Sequence, residues 1–374
     1  MQNSRDPSSS TRPRALLLGA GHAHLYSLKR AEEFSRRGFE LVAVAPESFW
    51  YSGLATGVLA GRYSPEADQV DIEQLMGRAS NCRFIRDRVT AINPEKRLAR
   101  LQSGEELSYD VLSLNLGSEV RPIPGQGEGV FAIKPLQNLW QLRQELESTK
   151  DERLGILIVG GGPSGCEVAA NIRALLGDKK AEITVLVGGD RIIPKFSKGA
   201  GRTLAKRLAK LRITLEFGST VFMVEGRVAI TKSGLRHEFD YLVNATGLHS
   251  PAILKDIGLP ATGQGEFSVD EFLRSSGDAR IFGGGDCVHM QGHELEKIGV
   301  YAVRQAPVLF HNLLATLERK PLKKFHPQKH CLLILNLGQG IGLARWRGFH
   351  WMGRAPFWLK DQIDRRFLAR YQTP

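Results

Sequence analysis

Two glycine clusters sit where a chain can hold a phosphate. Gly19-Ala-Gly21-His22-Ala-His24 follows the apolar run Ala15–Leu18, and Gly160-Gly-Gly162-Pro-Ser-Gly165 follows Gly155–Val159. In such a turn the first glycine permits the reversal and the second lets backbone approach a pyrophosphate. The start of the next helix then offers free N–H groups and a positive dipole end. One copy is weak evidence, but two in the same strand–turn–helix setting point to two dinucleotide sites. His22 and His24 carry ring nitrogens able to donate to phosphate, although the third motif position is then a histidine and not a glycine or alanine. Asp286, after Gly283-Gly-Gly285, is a strand-end carboxylate, which by itself reads as a turn acid.

The cysteines narrow the redox chemistry. Cys82, Cys166, Cys287 and Cys331 form no CxxC pair, so neither a disulfide framework, a dithiol exchange site nor a zinc site is expected, and no metal is assigned. Such usage fits a reducing, cytoplasmic compartment.

The elements that must position these groups repeat. Ala15–Leu18, the first glycine turn, a helix with Leu25, Leu28, Ala31 and Phe34 on one face and the strand Leu41–Ala45 make one unit. Gly155–Val159, the second turn, a helix through Val168, Ile172 and Leu175 and the strand Ile183–Val187 make another. Tyr109–Gly117 and Asp240–Gly247 each read as a strand ending in glycine. The expected fold is therefore α/β, with two Rossmann-like dinucleotide-binding domains, the second inserted in the first, plus a short C-terminal region with an amphipathic helix. The expected bounds are a disordered tail over 1–13, a first domain over 14–120 and 264–325, a second over 121–263, and the C-terminal region over 326–374.

The chain has 374 residues, 42% of them apolar and 24% charged, which suits a globular protein and excludes a disordered or collagen-like one. Its apolar runs are far shorter than a membrane span needs. The polar start has no apolar core of a secretory signal. A net charge of +12 favours anionic partners, namely cofactors or a lipid surface. Nucleic acid is not expected, because no basic helix or aromatic RNA-binding signature accompanies the charge.

These stretches, with Tyr51-Ser52-Gly53, Lys297–Gln305 and Lys360–Arg366, resemble the flavoproteins with two dinucleotide-binding domains, specifically the type II NADH:quinone dehydrogenases and sulfide:quinone reductases. They are more similar still to the flavoprotein module fused to selenide, water dikinases. The resemblance implies FAD at Gly19 and Gly21, with Ser52, Gly53 and Gly117 nearby and Asp286 on a ribityl hydroxyl. It implies NADH or NADPH at Gly160, Gly162, Gly165 and Gly247. It also makes Glu167 a neighbour of the nicotinamide and Gln305 part of a quinone site. Lys297 would stabilise reduced flavin or the acceptor. The acid that accepts ribose hydroxyls about 20 residues beyond each motif is absent: the count reaches Ala45 and Val187. Glu47 stands two residues past the first position; nothing acidic replaces the second, where Arg191 is the nearest base.

The leading reading is an FAD-dependent oxidoreductase that passes electrons from NAD(P)H to a quinone-type acceptor, peripheral on an anionic membrane surface. One alternative is a sulfide or selenium-compound oxidoreductase using Cys166 and Cys331; another is a flavin-bearing redox sensor or scaffold. A homodimer is left open. From Ile341 onward seven basic residues face two acidic ones, among Trp346, Phe349, Trp351, Phe357 and Trp358. Leu359, Ile363 and Phe367 share one helical face, expected either to meet lipid or to pack on the core.

Overall fold

A computed structural model describes residues 12–77, 79–150, 153–177 and 179–372. The expected N-terminal tail lies outside them except for Arg12 and Pro13. The first sheet is parallel and runs, edge to edge, Ile281–Gly283, Val111–Leu114, Arg14–Leu18, Glu40–Ala45, Cys82–Arg86. Ala15, Leu16, Leu17 and Leu18 are all fully buried, as a central strand covered on both faces requires. The edge strand Ile281–Gly283 pairs with Val111–Leu114, and the chain between these two strands forms a second sheet, also parallel, in the order Val130–Ala132, Tyr241–Asn244, Arg153–Val159, Lys180–Val187, Ile213–Phe217.

The two halves repeat further than the motifs suggested. Each carries an antiparallel meander before its final motif-side strand: Val89–Asn93, Leu98–Leu101 and Glu106–Ser108 in one, Val221–Glu225, Val228–Thr231 and Arg236–Glu238 in the other.

The two motif helices differ. The second runs Pro163–Leu176, with proline in its first turn and Gly177 at positive φ past its end. The first breaks at Arg30 into Leu25–Lys29 and Ala31–Arg36. With only five residues, the first piece has little dipole to offer. Backbone amides of the turn itself must carry most of any phosphate binding there.

A third helix, Gly299–Glu318, starts near the first turn. The chain closes with a sheet of Leu333–Asn336, Gly342–Trp346 and Phe349–Gly353, then the helix Arg354–Gln372. No helix among the described residues is long and apolar enough to cross a membrane.

Candidate functional site

One cleft of about 2230 Å³ joins both glycine turns, the start of Gly299–Glu318 and the C-terminal helix. At the first turn Gly19 has φ +89°, and a Cβ there would lie 2.2 Å from the Asn115 carbonyl oxygen; one on Gly21 would lie 2.5 Å from Asn115 Oδ1. The second turn repeats the arrangement. Gly160 has φ +126° and its Cβ would fall 2.4 Å from the Ala245 carbonyl, while a Cβ on Gly165 would meet the Gly160 carbonyl at 2.0 Å. Only glycine fits these positions. Gly162 and Gly247 line the cleft with open space above them, as does Gly117 at φ +72°. These are cradles of the size and shape a dinucleotide requires.

Asn115 stitches the first cradle together. Its Oδ1 accepts from Ala23 N–H at 3.2 Å and its Nδ2 donates to the Gly284 carbonyl at 2.7 Å. The sequence analysis passed over it. Its place directly after a buried strand, matched by Asn244 in the second half, was the available signal.

Asp286 is held from one side. Its Oδ2 accepts from Ser118 Oγ at 2.8 Å and from Lys134 Nζ at 3.3 Å. Burial works against its ionisation, but Lys134, Ser118 and His22 together keep its carboxyl below the usual range. An ionised acceptor in the cleft suits a ligand hydroxyl. Gly285 beside it donates its N–H to Gln305 Oε1 at 2.8 Å. Gln305 is 1% exposed; its Oε1 holds the glycine-Asp turn while the side chain stands in the cleft lining.

Three expectations change. His24 is fully buried and donates from Nδ1 to the Gly19 carbonyl at 2.6 Å, so Nε2 accepts from Ser113 Oγ at 2.8 Å. Burial pushes it down to about 4, and the neutral ring braces the turn and does not contact phosphate. Lys297 is not free for an acceptor: its ammonium donates to the Asp286 carbonyl at 2.6 Å and pairs with Glu266 at 2.7 Å. The face Leu359, Ile363, Phe367 splits, because Phe367 is buried while Ile363 is exposed.

His22 does line the cleft. Burial pushes it down to about 4, its Nε2 has no hydrogen-bond partner, and its ring sits 4.8 Å from Phe49, 5.4 Å from Tyr51 and 5.8 Å from Phe367. Glu47 and Ser52 line it as exposed residues, Glu47 bonded to Gln137 Nε2. Gly53 is fenced by Tyr51 and Asp364, and its carbonyl accepts from Lys360.

Glu167 accepts from Asn336 N–H at 2.5 Å; burial pushes it up to about 7, against the pull of Lys360. Lys360 Nζ donates to Asp364 Oδ2 at 2.6 Å, and Tyr51 donates to Asp364 Oδ1 at 2.8 Å. Tyr51 and the Lys360–Arg366 stretch entered only through the resemblance, yet their i,i+4 Lys–Asp spacing was visible.

Val187 packs under the second turn, where a Cβ on Gly161 would lie 2.7 Å from it. It is 3% exposed. The exposed positions beyond the strand are Gly188, Gly189 and Asp190. Cys166 and Cys331 are free and buried, and burial pushes the Cys166 thiol up to about 12.

Two glycine cradles opening on one cleft, each at the ends of parallel strands, define a protein that holds two dinucleotides. Residues 13–306 match the family model for pyridine nucleotide-disulphide oxidoreductases, and the chain belongs to that family. It is 27% identical over 282 residues to ferroptosis suppressor protein 1 of Taeniopygia guttata, covering 71% of this chain and 72% of that one. It is 25% identical over 393 residues to alternative NAD(P)H-ubiquinone oxidoreductase C1 of Arabidopsis thaliana, covering 90% and 72%. Its fold matches that of NDH2 from Plasmodium falciparum in complex with NADH, with a TM-score of 0.79 at 14% identity over 97% of this chain and 99% of that one.

Proposed function

We propose that this protein is an FAD-dependent NAD(P)H:quinone oxidoreductase working at a membrane surface. The observation that carries the reading is the single cleft linking both cradles to a mouth lined by Trp346, Ile363 and Phe367, with no cysteine pair along it. The relatives named as NAD(P)H-ubiquinone oxidoreductases support it. Bound flavin would supply the conversion of hydride into electrons for the acceptor.

This chain's residues do the rest. The turn at Gly19–Gly21 takes the FAD pyrophosphate and Asp286 a ribityl hydroxyl. The turn at Gly160–Gly165 takes the nicotinamide cofactor, with Glu167 at its edge. Tyr51, Phe49 and Phe367 close water out around His22. Within the family we place the chain nearer the module fused to selenide, water dikinases, on the Lys297–Gln305 and Lys360–Arg366 stretches.

The chalcogenide alternative is disfavoured. Cys166 is fully buried, where desolvation pushes its thiol up to about 12 and away from the reactive thiolate, and neither Cys166 nor Cys331 lines the cleft.

For the membrane, the exposed aromatics of the C-terminal region are Trp346, Phe349, Trp351 and Trp358. Trp346 and Phe349 are cross-strand partners in the hairpin, which packs on the helix Lys198–Lys210 through His350 and Thr203 at 3.2 Å. That helix presents Lys198, Arg202 and Lys206 to solvent, and Arg347 and Arg354 flank the aromatics. Apolar rings bordered by cations suit an anionic headgroup layer.

Anaerobic titration with NADH, NADPH and sulfide, following flavin absorbance and then adding a quinone, tests the reading. Bleaching by a nicotinamide and recovery with quinone are expected; bleaching by sulfide alone would overturn it. Replacing Phe349, Trp351 and Trp358 with alanine should abolish binding to anionic liposomes while sparing flavin content.

A further inference from the structure

The helix Pro163–Leu176, which follows the second glycine turn, is met by the C-terminal sheet at a close contact. Gly338, in the turn after the strand Leu333–Asn336, has φ +67°, and a Cβ there would lie 2.8 Å from the Ala170 carbonyl oxygen and 2.9 Å from the Ala174 Cβ. Only glycine lets the turn come this near to the helix backbone. The contact sets Asn336 beside Asn171 and Glu167.

Asn336 and Asn171 are buried, and every polar group of Asn336 is engaged. Its carbonyl accepts from Asn171 Nδ2 at 2.9 Å and its Oδ1 from Gly338 N–H at 3.1 Å. Its Nδ2 donates to Asn171 Oδ1 at 3.1 Å and to Thr56 Oγ1 at 3.3 Å. Asn171 Nδ2 also donates to the Glu167 carbonyl at 2.8 Å. The last group, the Asn336 N–H, donates to Glu167 Oε1 at 2.5 Å. Glu167 lines the cleft, while Asn336 and Asn171 stand behind it.

A carboxylate with one oxygen anchored in the wall has the other left for a ligand. Among the described residues no donor reaches Glu167 Oε2. We propose that Asn336 is a positioning residue for the nicotinamide: held by Asn171 and Thr56, it fixes Glu167 so that Oε2 accepts from the carboxamide N–H2 group and selects for it. This rests on the reading that puts Glu167 at the nicotinamide edge. The aim is set by three separate parts of the chain, Thr56 before the first meander, Asn171 on the second motif helix and Asn336 on the C-terminal sheet.

The test is equilibrium binding to the oxidised holoprotein, by calorimetry, of NAD+ and its 3-acetylpyridine analogue. A methyl group replaces the carboxamide nitrogen in the analogue, so that donor is gone, and neither oxidised dinucleotide turns over. At about pH 8 Glu167, which burial pushes up to about 7, is ionised. Wild type should bind NAD+ roughly tenfold more tightly than the analogue, as one hydrogen bond to a charged group gives. Glu167→Gln should bring the ratio to about one, because the Asn336 N–H takes the amide oxygen and turns the amide nitrogen, a donor, to the cleft. Asn336→Ala should cut the ratio at least roughly threefold while keeping affinity for the analogue, since the carboxylate is then free to turn. Asn171→Ala, which frees the Asn336 carbonyl and side chain, carries the same expectation if Asn336→Ala does not hold flavin.

A wild type that binds neither dinucleotide or shows a ratio near one, or a ratio that Glu167→Gln leaves intact, would overturn the placement of Glu167 and the proposal with it. Loss of the ratio in Glu167→Gln beside an intact ratio in the asparagine variants would overturn the role of Asn336 alone. Equal weakening of both dinucleotides in those variants would mark a structural effect and also overturn it.

Discussion

Tyr51 donates its hydroxyl to Asp364 Oδ1 at 2.8 Å, a bond between residues 313 positions apart that makes the C-terminal helix part of the cleft wall. Phe367 of the same helix stacks on the Tyr51 ring at 4.8 Å. Removing Gly353–Pro374 is therefore expected to strip flavin and lower the melting temperature, as absorbance of the purified protein and a thermal scan will show. Tyr51→Phe should cost about 1.5–3 kcal/mol, the range for a hydrogen bond to a charged group, in urea unfolding. A truncated protein that keeps its flavin and melts normally would return this helix to an external role.

Asp286→Ala should release flavin. The substitution removes the ionised acceptor and leaves Lys134 and Ser118 facing each other without it. Loss of about 1.5–3 kcal/mol corresponds to roughly ten- to hundredfold weaker FAD binding, measured by fluorescence of released flavin. Unchanged retention would remove Asp286 from the site.

Gln305→Leu leaves the Gly285 N–H unpaired in a buried turn. The expected cost is about 1–3 kcal/mol in stability, with the KM for quinone unchanged if the amide serves only the turn. A raised KM at normal stability would restore the expectation drawn from sequence.

Cofactor choice should be poor, because no carboxylate occupies the end of the strand Lys180–Val187 to bind ribose hydroxyls or repel a 2′-phosphate. Val187 itself is the wrong position to change, since its methyl groups support Gly161. Gly189 is exposed and a Cβ there meets nothing within 4 Å. Gly189→Glu should shift the ratio of kcat/KM toward NADH by roughly tenfold. A wild-type preference for NADH above roughly a hundredfold would mean that Asp190 already supplies the acid.

Stability should fall on the alkaline side. Burial pushes Asp68 up to about 9, with Lys360 opposing, and Glu167 up to about 7. Once unfolded, both release their protons near the ordinary carboxyl range of about 4. Between those limits the folded state binds more protons, so the free energy of unfolding decreases as pH rises, through about 7 for Glu167 and about 9 for Asp68. His22 and His24, neutral in the fold down to about 4, act in the opposite sense only below about 6.5. Above pH 7 Asp68 contributes to the slope, joined toward pH 9 by the thiols of Cys166 and Cys287, which burial pushes up to about 12 and about 11, and Asp68→Asn should reduce it in denaturant titrations between pH 7 and 9. Equal slopes would place the buried carboxyl's proton elsewhere.

The strand–glycine-turn–helix units were legible because they are local. Ala15–Leu18 and Gly155–Val159 are apolar runs beside turns that only glycine permits, and periodicity and backbone sterics act within a few residues. Asp286 stood out only through the resemblance, since a strand-end carboxylate by itself reads as a turn acid. What the sequence left open was where long-range partners would lie. His24 read as a phosphate donor until Ser113, 89 residues on, took its ring nitrogen. The bond from Gly285 to Gln305 could not be read from spacing, and the stripe Leu359–Ile363–Phe367 read as one face until Tyr51 and His22 claimed Phe367 alone. A side chain's type limits which bonds it can make, but burial and the partner that satisfies it are set only when distant strands and helices pack together. The chemistry of the cleft wall, with Tyr51, Lys360 and Asp364 in one place, was therefore decided by tertiary structure.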